Sequence, residues 1–162
     1  MAEEAPKRPV ELQPWGVNVP FLIVAAVYFA AGGLSLALRQ FDHGYLMIAG
    51  AYALYEGMLL RLFFPATKYI WLHVAILVTM AIPLPQFQVV SAVLLTYLTY
   101  RGLKDVKSYG SKFPVNALVL ASPILAVIFW TAYLFTGYYP LLFPPLVSYV
   151  LGINVGIFAA TL

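Results

Sequence analysis

The sequence predicts an all-α, polytopic integral membrane protein of about six transmembrane helices with both termini in the cytoplasm. Three observations predict it. The chain is 63% hydrophobic and 9% charged, with a mean hydropathy of +0.89, whereas soluble domains are about 45–50% apolar and about 25% charged. A water-soluble fold of this size leaves too much area exposed to hide that excess. The apolar residues also fall in runs near the ~20 needed to cross a ~30 Å hydrocarbon core. Finally, the basic residues segregate to one side once those runs are counted as crossings.

Residues 1–15, MAEEAPKRPVELQPW, are polar and mixed in charge. They lack the basic start, short apolar core and small-residue cleavage site of a secretory signal, so they read as a retained cytoplasmic tail with Trp15 as an interface anchor. Residues 16–162 form a single transmembrane domain. The first span lies at 17–38 and the second at 44–64. The next apolar stretch, 67–100, would be ~51 Å long as one helix, and Pro83-Leu84-Pro85 interrupts it. Proline breaks helices and biases the preceding residue away from them, so two short spans are expected near 67–83 and 86–103, crossing fully or as a re-entrant hairpin. A fifth span at 114–136 contains Pro123, and a sixth runs from 145 to 161 behind Pro144-Pro145, since proline suits a first helical turn.

With six crossings, eight of the nine Lys and Arg residues fall on the side of the tail, the 2–3 turn and the 4–5 loop, and only Arg39 falls opposite. That is the positive-inside pattern, and it places the chain as a multi-pass protein of the cell membrane. The net charge of +3 therefore reports topology and not a nucleic-acid partner. The absence of cysteine excludes disulfides, thiolate metal sites and cysteine nucleophiles.

Ionisable groups at membrane depth are costly and are functional candidates by default. Glu56 is the deepest, about eight residues or ~12 Å from the cytoplasmic end of the second span. Tyr52, at i−4 on the same helical face, is expected to donate its hydroxyl to the carboxylate. Arg61 lies roughly 140° round the helix and is expected to snorkel to the headgroups. His73, ~9 Å into the third span, is expected at the depth of Glu56 on an antiparallel neighbour, where the two could hydrogen-bond. The trio reads either as a proton- or cation-handling site or as a structural interhelix clamp. His43 and His73 would sit ~20 Å apart, too far to share a heme, and two histidines with one buried Glu fall short of the three or four ligands of a zinc site. No cofactor or metal is therefore expected.

Small residues at i, i+4 spacing, or nearly so, mark close helix contacts in membranes. Three such lines occur: Ala26, Ala30 and Gly33; Ala49, Ala53 and Gly57; and Ser148, Gly152 and Gly156. Packing within the chain is the simpler reading, and contact with another subunit or a second copy is the other. Ser91, Thr96 and Thr99 could form a polar seam on the fourth span, although such hydroxyls often bond back to their own helix. The loop 101–112, with Arg101, Lys104, Lys107 and Lys112, is expected to meet lipid headgroups or a cytoplasmic partner. Asp42-His43 reads as a solvated loop.

The stretch DHGYLMIAGAYALYEGMLLRL, the basic aromatic re-entry KYIWLHVAI and the ending VLLTYLTYRGLKDVKSYG resemble the small prokaryotic multi-span membrane proteins grouped as DUF2127-like. The resemblance covers residues 17–110, and the two C-terminal spans depart from it. That group is of unknown function, so the resemblance implies a multi-span fold and no site residues. No phosphate-binding glycine loop, catalytic serine order or paired carboxylates occur, which leaves an intramembrane enzyme least supported. The expected function is a non-catalytic membrane subunit or scaffold of a larger complex, an energy-transducing one among the hosts. The alternative is a small proton- or ion-coupled transporter or channel using Glu56.

Overall fold

A computed structural model describes residues 10–39, 42–108 and 115–161, with side chains described over 10–39, 42–104 and 117–155. Its six α-helices are α1 (Pro14–Leu38), α2 (His43–Phe63), α3 (Ile70–Met80), α4 (Pro85–Ser108), α5 (Val115–Thr136) and α6 (Phe143–Thr161), with 3₁₀ turns at Thr67–Tyr69 and Tyr139–Leu142. Three stretches are long and apolar enough to cross a membrane: Pro14–Leu38, His43–Phe63 and Ala117–Thr136. Thr67–Met80 and Tyr139–Val155 are apolar but shorter.

Local chemistry sets most of the boundaries. Pro14 stands at the start of α1, earlier than residue 17, because proline needs no hydrogen-bonded N–H there. Arg39 closes the helix in the left-handed conformation, φ 53° and ψ 33°. Asp42 is exposed ahead of α2, as expected, and its carboxylate accepts from the Tyr45 backbone N–H at 3.1 Å and caps the helix, while His43 is already its first residue. His43 Nδ1 lies 2.7 Å from the Gly32 carbonyl, tying the start of α2 to α1. The stretch 67–100 is indeed cut at Pro83–Pro85, but its first half is a 3₁₀ turn and an α-helix of 11 residues, only ~16 Å of α-helix. α4 continues through Ser108, so Arg101 and Lys104 stand on a helix and not in a loop.

The helices close into a ring in the order α1, α2, α6, α5, α4, α3, with α3 returning to α1. The α1–α2 pairing is the most extensive and α2–α3 is slight, so neighbours in sequence are not always neighbours in space. Glycines make the α1–α2 approach. A Cβ on Gly57 would stand 2.5 Å from Phe21 Cβ, and one on Gly50 would stand 2.8 Å from the Phe29 ring. The line Ala49, Ala53, Gly57 is thus buried inside the chain. On α6, Ser148 Oγ donates to Ser122 Oγ at 3.2 Å, Ser122 Oγ donates to the Ser148 carbonyl at 3.0 Å, and a Cβ on Gly152 would meet Ser122 Oγ at 3.1 Å. Gly156 lies outside the described side chains. The α1 line is the exception. Ala26, Ala30 and Gly33 are all exposed, and a Cβ on Gly33 would have nothing within 4 Å.

Polar contacts pin the two ends. At one end, called basal here, the chain before α1 straps the α2–α3 turn: Leu12 N–H donates to the Pro65 carbonyl at 2.5 Å and Thr67 N–H to the Val10 carbonyl at 2.9 Å. At the other, distal end, Tyr28 OH donates to the Met80 carbonyl at 2.8 Å, and Gln88 Nε2 lies 3.1 Å from the Met80 and Ile82 carbonyls. These side chains satisfy the carbonyls that the end of α3 leaves open.

The fold yields a stability contrast. Gly57→Ala is expected to destabilise by about 1–3 kcal/mol, because overpacking against a side chain's own Cβ forces a backbone shift. Gly33→Ala is expected to be neutral or to stabilise by up to about 1 kcal/mol through helix propensity. Thermal unfolding of both variants in the same detergent checks this.

Candidate functional site

Glu56 is 1% exposed and faces the interior of the ring. Ser91 Oγ on α4 lies 3.4 Å from its Oε2, and Tyr149 OH on α6 lies 3.4 Å from its Oε1. Ser91 Oγ also lies 3.4 Å from the Ile76 carbonyl on α3. One carboxyl therefore links α2, α3, α4 and α6. These distances are long for O–H···O bonds, which centre near 2.7–2.8 Å. Ser91 has a single hydrogen to donate, so two arrangements satisfy the cluster. An ionised carboxylate accepts from Ser91 and Tyr149. A neutral acid instead donates to Ser91, which passes its own hydrogen to the Ile76 carbonyl.

The two expected partners of Glu56 stand elsewhere. Tyr52 is fully buried, but its hydroxyl donates to the Leu142 carbonyl at 3.0 Å. Sharing a helical face with Glu56 did not decide the matter, because the phenol reaches away from α2 to the connection before α6. His73 is 2% exposed, yet neither ring nitrogen has a hydrogen-bond partner among the described residues. The expected Glu56–His73 bond is absent because α3 packs chiefly on α4 and only slightly on α2, and Ser91 takes the position beside the carboxyl. His73 is three residues from Ile76, about one helical turn or ~4.5 Å of rise, so it belongs to the basal side of the same cluster.

Sequence reasoning missed the aromatic column above Glu56. Tyr52 and Trp130 have ring centroids 5.1 Å apart, and Tyr52 meets Tyr149 edge-on at 5.9 Å. Trp130 and Tyr133 approach at 5.8 Å, and Tyr45 completes the stack at 6.0 Å from Trp130 and 6.3 Å from Tyr133. The column joins α2, α5 and α6 from the distal end to the carboxyl. Tyr45 is 7% exposed, with a buried hydroxyl that has no partner among the described residues. With Asp42, Pro83, Pro85 and Tyr133 it lines a distal cavity of about 610 Å³. Beside this mouth, burial, then the charge of Asp42, then Tyr133, push the Tyr139 hydroxyl above the ordinary tyrosine value.

The weaker candidates divide. Thr96 Oγ1 bonds back to the Ala92 carbonyl at 2.8 Å on its own helix. Thr99 is buried with its hydroxyl unbonded among the described residues. Arg101 and Lys104 are exposed on α4 and line a basal groove with Lys68. The side chain of Lys107 and all of Lys112 lie outside the described residues. No group of three or more His, Cys, Asp or Glu side chains that could hold a metal occurs among the described residues. No family model, curated protein or solved structure matches the chain.

If the carboxyl is the clamp of the ring, Glu56→Ala is expected to cost on the order of 2 kcal/mol, through a cavity and a Tyr149 hydroxyl left without its acceptor. Tyr149→Phe is expected to cost about 0.5–1 kcal/mol, and Glu56→Gln, which keeps the shape and one acceptor, less than about 1 kcal/mol. Glu56→Ala combined with Ser91→Ala is expected to be non-additive, as groups in one network are. Reversible unfolding in mixed micelles measures all four.

Proposed function

We propose that the protein is a non-catalytic, multi-pass subunit or scaffold of a larger complex in the cell membrane. In this reading all six helices lie in the bilayer, with α3 and α4 as a short hairpin and the basal end, with both termini, in the cytoplasm. The observation that carries it is the use of Glu56. Glu56, the one deeply buried carboxyl among the described residues, is enclosed by hydroxyls from two other helices, which supports a role for its polarity in holding the ring together. The outward surface is then where function resides. Ala49, Ala53 and Gly57 on α2 and Ser148 and Gly152 on α6 are spent on internal packing, while Ala26, Ala30 and Gly33 on α1 face outward. In lipid, where helices associate by close van der Waals approach, such a line suits a partner helix.

Extraction from native membranes in a mild detergent is expected to recover the protein with other membrane chains. Gly33→Leu is expected to lower that recovery without lowering thermal stability. A lone, monodisperse particle from native membranes would sink the reading.

A second reading, a small proton- or ion-coupled transporter, has one observation in its favour. The column Tyr45–Trp130–Tyr52–Tyr149 leads from the distal cavity to Glu56. Under the subunit reading, proteoliposomes with wild-type protein and with Glu56→Gln are expected to show the same proton and cation flux, indistinguishable from empty vesicles. Flux that appears with the wild type and vanishes with Glu56→Gln would favour the transporter.

A further inference from the structure

Two grooves meet at the basal end, and their chemistry differs sharply. The first, about 550 Å³, lies between the turn before α3 and the last turns of α4 and is lined by Lys68, Tyr69, Leu72, Tyr97, Arg101 and Lys104. Three cations thus converge on one depression. Aromatic rings hold them: the Arg101 guanidinium carbon is 5.9 Å from the Tyr97 ring centre, Lys104 Nζ is 4.6 Å from that of Tyr100, and Lys68 Nζ is 5.0 Å from that of Tyr69. Arg101 Nη1 also donates to Tyr97 OH over a long 3.4 Å. Cation–π contacts orient such groups along the wall of the groove.

The second groove, about 470 Å³, runs between α4 and α5. Val93 and Ile128 are among its walls, and Tyr97 lines both grooves. Its lining is almost wholly apolar, and the hydroxyl of Thr96, its main polar group besides the tyrosines, is already bonded to the Ala92 carbonyl. From Arg101 to Val93 is eight residues of α4, ~12 Å along the helix. A cationic cup therefore opens onto an apolar trough that leads away from it along the helix axis. That is the polarity profile of one phospholipid, and basic pockets between transmembrane helices at the cytoplasmic side suit anionic headgroups.

We propose that this is a binding site for an anionic phospholipid. The phosphate-bearing headgroup sits among Lys68, Arg101 and Lys104, and one acyl chain lies in the α4–α5 trough past Tyr97. Arg101 is the central group, because its planar fork matches phosphate oxygens in pairs. The site is independent of the subunit reading, for it requires only that the basal end of α4 meet a headgroup layer.

Native mass spectrometry of the full-length protein, released from micelles carrying dioleoyl phosphatidylglycerol or dioleoyl phosphatidylcholine, tests it. One phosphatidylglycerol is expected to be retained well above phosphatidylcholine with the same chains. Each removed cation is worth about five-fold in affinity, so Arg101→Gln with Lys104→Gln is expected to weaken retention about 25-fold. Arg39→Gln, at the other end of the bundle, is expected to change nothing. Val93→Phe and Ile128→Trp fill the trough from residues 47% and 55% exposed, so the core is untouched, and either is expected to weaken retention with every charge in place. Equal retention of the two lipids, or an equal loss in Arg39→Gln, would overturn the headgroup site. Unchanged retention in both trough variants, or displacement of the lipid by equimolar glycerol phosphate, would overturn the acyl site.

Discussion

The carboxyl of Glu56 is the constraint on which this bundle turns. A carboxyl group in an apolar interior costs several kcal/mol unless its oxygens are bonded or its charge is neutralised. Here the relief comes from outside its own helix: one oxygen faces Tyr149 from α6 and the other faces Ser91 from α4, which also reaches the α3 backbone. The acid can be satisfied only if four helices keep their mutual register. A slide of α4 by one residue would carry Ser91 ~1.5 Å along the axis and 100° round it, away from the carboxyl. The polar centre thus converts a local cost into a specification of the whole ring.

The rest of the structure repeats this logic at other depths. His43 on the Gly32 carbonyl, Tyr28 and Gln88 on the Met80 carbonyl, and the Ser122–Ser148 pair each join two elements through a polar contact. In a bilayer, where water competes for none of these bonds and the apolar effect does not distinguish helix from lipid, such contacts and the close fit of glycines are what select one packing. The steric side of the same selection is visible at Gly57 and Phe21, where no side chain fits between α1 and α2.

The helices were legible in the sequence because run length and proline position act locally. Pro83-Leu84-Pro85 divides α3 from α4 whatever the rest of the chain does, and 114–136 became Val115–Thr136. The burial of Glu56 and His73 was legible too, since both sit where their helices face inward. Their partners were not. The expectation that His73 meets Glu56 assumed that consecutive helices pack, and the ring instead places α2 against α1 and α6. Tyr149 is 93 residues from Glu56, and nothing in its surroundings, SYVLG, marks it as a carboxyl ligand. Helix periodicity gives the face a residue occupies but not the helix that face will meet. The same limit explains the small-residue lines of α1 and α2, which are alike in sequence while Ala49, Ala53 and Gly57 are buried and Ala26, Ala30 and Gly33 are exposed.

The order of the ring also decides which surface features can act together. α1 is flanked by α2 and α3, and the trough lies between α4 and α5. α3 therefore separates the outward line of α1 from the basal cations and the trough. A helix seated on Ala26, Ala30 and Gly33 would not cover Arg101, and a lipid held at α4 would not obstruct that helix. The two proposals make no steric demand on one another, so loss of one function in a variant leaves the other measurable. His73 lies on the dividing helix, buried and without a hydrogen-bond partner among the described residues, on the basal side of the Glu56 cluster. Changes at the basal end of α3 therefore have a short route to the polar centre, through one turn of helix from His73 to the Ile76 carbonyl that Ser91 engages.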